Sequence, residues 1–131
     1  MPGAPVIFQG DERGILGEKE YYDAQRYPIQ WESVDEGLIS HYKKLARLRR
    51  ETPILTGSVI RTYNSKGHLL SFFRGESGKG EILIVANNGI ESITFELPEG
   101  VWRSLANGKE VIQDKGKIDI LPLQVRIFEH M

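Results

Sequence analysis

From residue 53 onward, turn residues recur too often to leave room for a long helix. They cluster at 64–67, 75–80, 87–89, 98–100, 107–108 and 115–116. Between them lie short runs rich in β-branched and aromatic residues: SVIRTY, HLLSFF, EILIVA, SITFEL, VWRSL, KEVI, KIDIL and QVRIFEH. Turn signals at about 8–12-residue spacing predict an all-β sandwich or small barrel. Two of the runs, 93–97 and 125–129, alternate as strands with one wet face do.

The chain before residue 53 has a different character. Pro5-Val6-Ile7-Phe8, stopped by Gly10 and the pair Asp11-Glu12, is a continuous apolar run. Such a run predicts a strand buried on both faces, the parallel-sheet type. Parallel strands need neighbours joined by crossover helices, and only one helix follows, so this strand lacks partners. Residues 16–31 (LGEKEYYDAQRYPIQW) show no clear period and are expected to form a long loop. Ser33-Val34-Asp35-Glu36 matches a capping box with Ser33 as N-cap. Leu38, Ile39, Tyr42, Leu45, Ala46 and Leu48 then form one apolar stripe, predicting an amphipathic helix over about 34–50. Lys43, Lys44, Arg47, Arg49 and Arg50 complement the helix dipole and make a solvated face, and Pro53 closes the helix. The expected organisation is therefore 1–52, an incomplete α/β remnant, followed by 53–131, an antiparallel β domain.

Composition narrows the function classes. With 17 Lys+Arg against 18 Asp+Glu, the charge balance favours neither nucleic acid nor an anionic membrane as partner. The 131 residues contain no cysteine, which excludes disulfides, a thiolate nucleophile and cysteine-ligated metal. No apolar run approaches the roughly 20 residues of a membrane span. No export signal is visible, and with no cysteine a cytoplasmic location is favoured. His41, His68 and His130 are far apart, and no pair has metal-ligand spacing, so no metal or other cofactor is expected. No GxSxG elbow, P-loop or GxGxxG is present. Carboxylates remain. A retaining glycosidase needs two of them about 5 Å apart across one substrate bond. Asp11 and Glu12 are adjacent, and neighbours on an extended segment point to opposite faces. The expectation is that one caps the turn and the other pairs with Arg13. Residue types and spacing alone supply no catalytic constellation.

Three stretches nevertheless carry a signature. Residues 1–12, MPGAPVIFQGDE, resemble the last barrel strand of the α-amylase family (glycoside hydrolase family 13), M-P-G-x-P-x-I-Y-x-G-D/E-E. Residues 23–31, DAQRYPIQW, are similar to that family's D-x-x-R-x-P-M-x-W segment, with Tyr27 and Ile29 departing from it. Tyr42-Lys43-Lys44-Leu45 and 48–53, LRRETP, resemble its final barrel helix. The run 118–125 resembles the closing strand region of the β-sandwich that follows the barrel, with Leu123 where a second proline usually stands.

The resemblance implies a mainly β chain: an antiparallel β-sandwich of the α-amylase domain C type, preceded by one amphipathic helix and a remnant of a (β/α)8 barrel. It implies the C-terminal portion of a retaining glycosidase acting on α-1,4/α-1,6-glucosidic bonds of maltooligosaccharides or related α-glucans. The family's catalytic carboxylates follow earlier barrel strands, so these 131 residues alone are expected to be inactive. A 4-α-glucanotransferase of the same family, or a non-catalytic carbohydrate-binding or structural β module, are the alternative readings. Arg26 and Asp23 are the substrate-binding residues the resemblance implies, Arg26 helping to hold a terminal glucose through a carboxylate from an early barrel loop; the alternative is a loop arginine tied to Asp23. Trp31 is expected to pack at the start of the helix, and Trp102, if exposed, would be the weaker sugar surface. The partner implied is an α-glucan oligosaccharide, with self-association through the unpaired first strand a further expectation.

Overall fold

The computed structural model describes residues 3–15, 28–29, 31–32, 35–105, 111–113 and 115–131, which divide into two compact units, Ala4–Thr52, and Pro53–Met131 together with Gly3.

Among the described residues the second unit contains eight strands: β1 (Ile60–Thr62), β2 (Leu69–Arg74), β3 (Ile82–Asn87), β4 (Ile93–Glu96), β5 (Val101–Ser104), β6 (Val111–Gln113), β7 (Lys117–Ile120) and β8 (Val125–His130). β1, β4, β5, β7 and β8 fall within the β-rich runs, and β2, β3 and β6 each extend one residue past theirs. Six form an antiparallel sheet in the order β1-β2-β3-β8-β5-β6, and β4 pairs with β7 in a second sheet. The inner faces meet in a core built from both sheets. Phe73, Leu83, Val85, Trp102 and Phe128 come from the large sheet, and Phe95, Ile118 and Ile120 from the small one. The described residues thus form a mainly β sandwich with one α-helix, the sandwich as the turn rhythm predicts.

Alternation sets which face each residue takes. In β4, Phe95 is buried while Thr94 and Glu96 face solvent, and Thr94 Oγ1 donates to Asp119 Oδ1 across to β7 at 2.8 Å. β8 is less obvious from its hydropathy. Phe128 lies opposite Leu83, which places Arg126 on the core side opposite Val85 and turns Val125 and Ile127 outward. Because the period is two, anchoring one large residue inward decides the whole strand. Arg126 accommodates this by laying its guanidinium over the Phe128 ring, 5.1 Å from the centroid.

Two buried polar side chains hold loops to this frame. Arg74, at the end of β2, donates from Nη2 to the Leu55 and Gly57 carbonyls, fixing the 3₁₀ turn Pro53–Thr56. Asn87, at the end of β3, donates from Nδ2 to the carbonyls of Glu91 (2.7 Å), Ile120 (3.1 Å) and Leu121 (3.2 Å). Its Oδ1 accepts from the Gly89 N–H at 2.8 Å. In the β7–β8 turn Leu123 has φ +55°, a conformation closed to proline, so the family's proline would not fit here.

Gly75, which follows Arg74, has φ +92°, and a Cβ there would lie 2.1 Å from Ile54 Cδ1. Gly75→Ala is therefore expected to cost about 2–4 kcal/mol, combining left-handed backbone strain with overpacking. Urea unfolding checks this. The double variant Gly75→Ala/Ile54→Ala should recover part of the loss, and strictly additive costs would show that the two residues do not interlock.

The first unit carries the helix α1 (Glu36–Glu51), close to the predicted span. Its cap is a correction: Asp35, not Ser33, is the N-cap, with Oδ1 accepting from the Leu38 N–H at 2.9 Å. Aspartate and serine cap about equally well, and Asp35 sits directly before the first helical residue, whereas Ser33 lies outside the described residues. Leu38, Ile39, Tyr42 and Leu48 are half-buried and Leu45 exposed, and the helix ends at Thr52 before Pro53. Arg47 pairs with Glu51 at 2.8 Å, one turn apart.

Residues 5–8 are a second correction. They form no strand and are not buried: Val6 is 90% exposed, Ile7 50% and Phe8 54%. A strand exists through hydrogen bonds to its neighbours, and no neighbour pairs with this segment among the described residues.

Candidate functional site

The carboxylates Asp11 and Glu12 lie in the first unit, in a tight turn. Gly10 (φ +93°) and Gly14 (φ +71°) bracket a 3₁₀ turn at Asp11–Arg13. Glycine is needed at the first of these on two counts: φ is positive, and a Cβ would lie 3.0 Å from Ile15 Cδ1. The turn is closed by its own backbone. The Gly10 carbonyl accepts from the Arg13 and Ile15 N–H groups at 3.0 and 3.1 Å, and the Asp11 carbonyl from Gly14 at 3.1 Å. Neither carboxylate caps the turn, contrary to the expectation: Asp11 Oδ2 accepts instead from the Phe8 N–H, three residues back, at 3.0 Å. Glu12 Oε1 lies 3.8 Å from Arg13 Nε.

Arg13 reaches further. Its guanidinium sits 4.7 Å from the centre of the Trp31 ring, and its Nη1 donates to the Trp31 carbonyl at 3.3 Å. Trp31 is 69% exposed, so it is not the packed residue expected at the start of the helix. One face of its ring is held by a cation. This link spans 18 residues, and no local pattern in the sequence points to it. Asp23 and Arg26, the implied substrate-binding residues, lie outside the described residues.

In the β unit two carboxylates are paired with arginines. Arg61 binds Glu81, and Arg103 binds Glu129 across the β5–β8 ladder. Glu81 also accepts from the Gly78 N–H at 3.3 Å and lies 3.6 Å from His130 Nδ1. The His130 ring stacks on Trp102, 4.7 Å between centroids. Trp102 itself is buried in the core, with Nε1 donating to the Pro98 carbonyl at 3.1 Å. Among the described residues, no group of three His, Asp or Glu side chains is placed to hold a metal ion. No described helix is long and apolar enough to cross a membrane. What the described geometry can do chemically is therefore limited. Asp11 binds the Phe8 N–H, Glu12 faces Arg13, and Glu81 and Glu129 of the sandwich are held by arginines.

The architecture has known counterparts. The chain superposes on the α-amylase of Geobacillus thermoleovorans with a TM-score of 0.84, covering 99% of this chain and 30% of that one at 19% identity, a likeness of fold. The type III pullulan hydrolase of Thermococcus kodakarensis gives the same TM-score at 43% identity, covering 99% of this chain and 21% of that one. By sequence, Neopullulanase 2 of Thermoactinomyces vulgaris is 30% identical over 137 aligned positions, 98% of this chain and 23% of that protein. No family model matches the chain.

The fold is that of the C-terminal β domain of α-amylases, carried behind a glycine-bracketed turn and a single helix. The chain belongs to the α-amylase family, glycoside hydrolase family 13, and matches the C-terminal portion of much longer enzymes. It spans less than a quarter of the length of the curated relatives it matches.

Proposed function

We propose that this chain is the closing portion of an enzyme that hydrolyses α-1,4 or α-1,6-glucosidic bonds of maltooligosaccharides or related α-glucans with retention. The observation that carries the reading is the 43% identity, over 99% of the chain, to a protein named as a pullulan hydrolase. In this reading the catalytic carboxylates belong to other segments, and the 131 residues alone hydrolyse nothing. Residues 6–8 are exposed because, in the whole enzyme, they pair with barrel strands; alone, they offer an edge through which two copies can associate. Arg26 and Asp23 serve the sugar site, Arg26 helping to hold the terminal glucose, a task suited to a planar guanidinium fork.

A chimera tests this. The chain replaces the matching portion of the Thermococcus pullulan hydrolase, and pullulan hydrolysis is followed by reducing-end release. The chimera is expected to be active and the isolated chain inert. Arg26→Ala in the chimera should lower kcat/KM by about ten- to a hundredfold, the worth of a lost charged hydrogen bond, with the circular dichroism spectrum unchanged. A folded but inactive chimera would sink the assignment, and hydrolysis by the isolated chain would sink the claim that catalysis resides elsewhere.

A further inference from the structure

Asn88 is followed by Gly89, the pairing in which an asparagine most readily loses its side-chain amide, because glycine has no Cβ to hinder attack by its own nitrogen. The chemistry is self-contained. The Gly89 nitrogen gives its proton to solvent and bonds to Asn88 Cγ. The Cγ–Nδ2 bond breaks, and ammonia leaves with a proton from water. Water then opens the five-membered imide at either carbonyl, giving aspartate or an isoaspartate whose backbone is one carbon longer.

The nucleophile in that reaction is the Gly89 backbone nitrogen, and the fold holds it. Gly89 is buried, and its N–H donates to Asn87 Oδ1 at 2.8 Å. The acceptor cannot swing away, because the same amide donates from Nδ2 to the carbonyls of Glu91, Ile120 and Leu121. Three carbonyls on one side and an N–H on the other also fix which way the amide points. On the far side of the dipeptide, the Asn88 N–H donates to the His68 carbonyl at 3.0 Å. A Cβ on Gly89 would sit 3.0 Å from His68 Cβ, so the backbone is seated tightly against that side chain. The Asn88 side chain is exposed, with Oδ1 3.3 Å from His68 Nδ1. The leaving group is therefore open to water while the attacking atom is restrained.

We infer that Asn87 guards its neighbour: Asn88 is a latent deamidation site, closed in the folded chain by the Gly89 N–H to Asn87 Oδ1 bond and opened whenever that clasp releases. Isoaspartate at 88 would lengthen the β3–β4 connection and displace the Asn88–His68 bond, so one opening event would leave a lasting mark.

The full chain is incubated in warm, mildly alkaline buffer with and without urea, and the tryptic peptide 80–103 is followed by mass spectrometry. Conversion at Asn88 should be at least about tenfold slower in the native chain, because attack first requires breaking a buried hydrogen bond. A smaller difference overturns the guard. Asn87→Ser, confirmed folded by near-ultraviolet circular dichroism, should approach the urea rate; a folded variant whose Asn88 ages no faster than wild type overturns it. Should that variant fail to fold, amide exchange at Gly89 in the wild type decides. Slow exchange in step with deamidation supports the guard, and exchange as fast as an exposed loop amide refutes it.

Discussion

Asn87→Asp is expected to destabilise the chain by about 3–5 kcal/mol, the cost of an uncompensated buried charge. The two side chains are nearly isosteric, so the effect isolates chemistry from volume. The asparagine Nδ2 faces three carbonyl oxygens at 2.7–3.2 Å. A carboxylate oxygen in its place has no proton to offer and repels all three. Asn87→Ala also loses the bonds, but it leaves unsatisfied groups without a charge, costing about 1–3 kcal/mol. The ordering, aspartate worse than alanine, is the sharp part of the expectation. A further sign follows. The folded variant disfavours the charged carboxyl, so it binds a proton more readily folded than unfolded, and its deficit should narrow as pH falls and widen as pH rises. Urea midpoints of wild type and both variants across pH provide the check. A loss at Asn87→Asp no larger than at Asn87→Ala would mean that Nδ2 does not hold these carbonyls. Against the 5–15 kcal/mol of a typical domain, the expected loss is a large fraction of all the stability there is.

How the sequence relates to the fold differs between the two halves of the chain. In the β half, turn chemistry and two-residue alternation are local signals, and every strand from β1 to β8 coincides to within one residue at its end with a run that those signals delimit. What the runs do not encode is which strands pair: β8 inserts between β3 and β5, a long-range choice decided by burial. The same long-range packing turns Arg126 toward the core, against its own hydropathy. Asn87 looks like one more turn residue in NNG, and only the arrival of β7 beside it makes it a clasp. In the first half, residues 5–8 read as a buried strand because a continuous apolar run between turn residues is the local signature of one, yet no described segment pairs with them. The helix is legible from its stripe, and its cap stands two positions beyond Ser33 because SVDE offers two residues that cap equally well. The site was the least legible part: the Asp11–Arg13 turn follows from its glycines, but the reach of Arg13 to Trp31 does not.

The two tryptophans should respond to truncation in opposite ways. Trp102→Ala is expected to cost about 3–5 kcal/mol, as loss of a large core side chain does. Its indole is 1% exposed, packs against Phe73 at 6.1 Å between centroids, and carries the His130 ring on its other contact. Removing it opens a cavity between the sheets and strips the Pro98 carbonyl of its Nε1–H partner. Trp31→Ala should cost less than about 1 kcal/mol, the worth of one exposed cation–π contact with Arg13. The contrast bears on sugar binding. A stacking platform needs an open ring face, and Trp102 has none, whereas Trp31 has one face against Arg13 and most of its surface in water. Tryptophan fluorescence during a maltotriose titration therefore discriminates: any saturable change should vanish in Trp31→Phe, leaving Trp102 a silent reporter of folding. A response that survives Trp31→Phe, or a Trp102→Ala chain unfolding within about 1 kcal/mol of wild type, would place Trp102 at the surface and overturn the packing described for the sandwich.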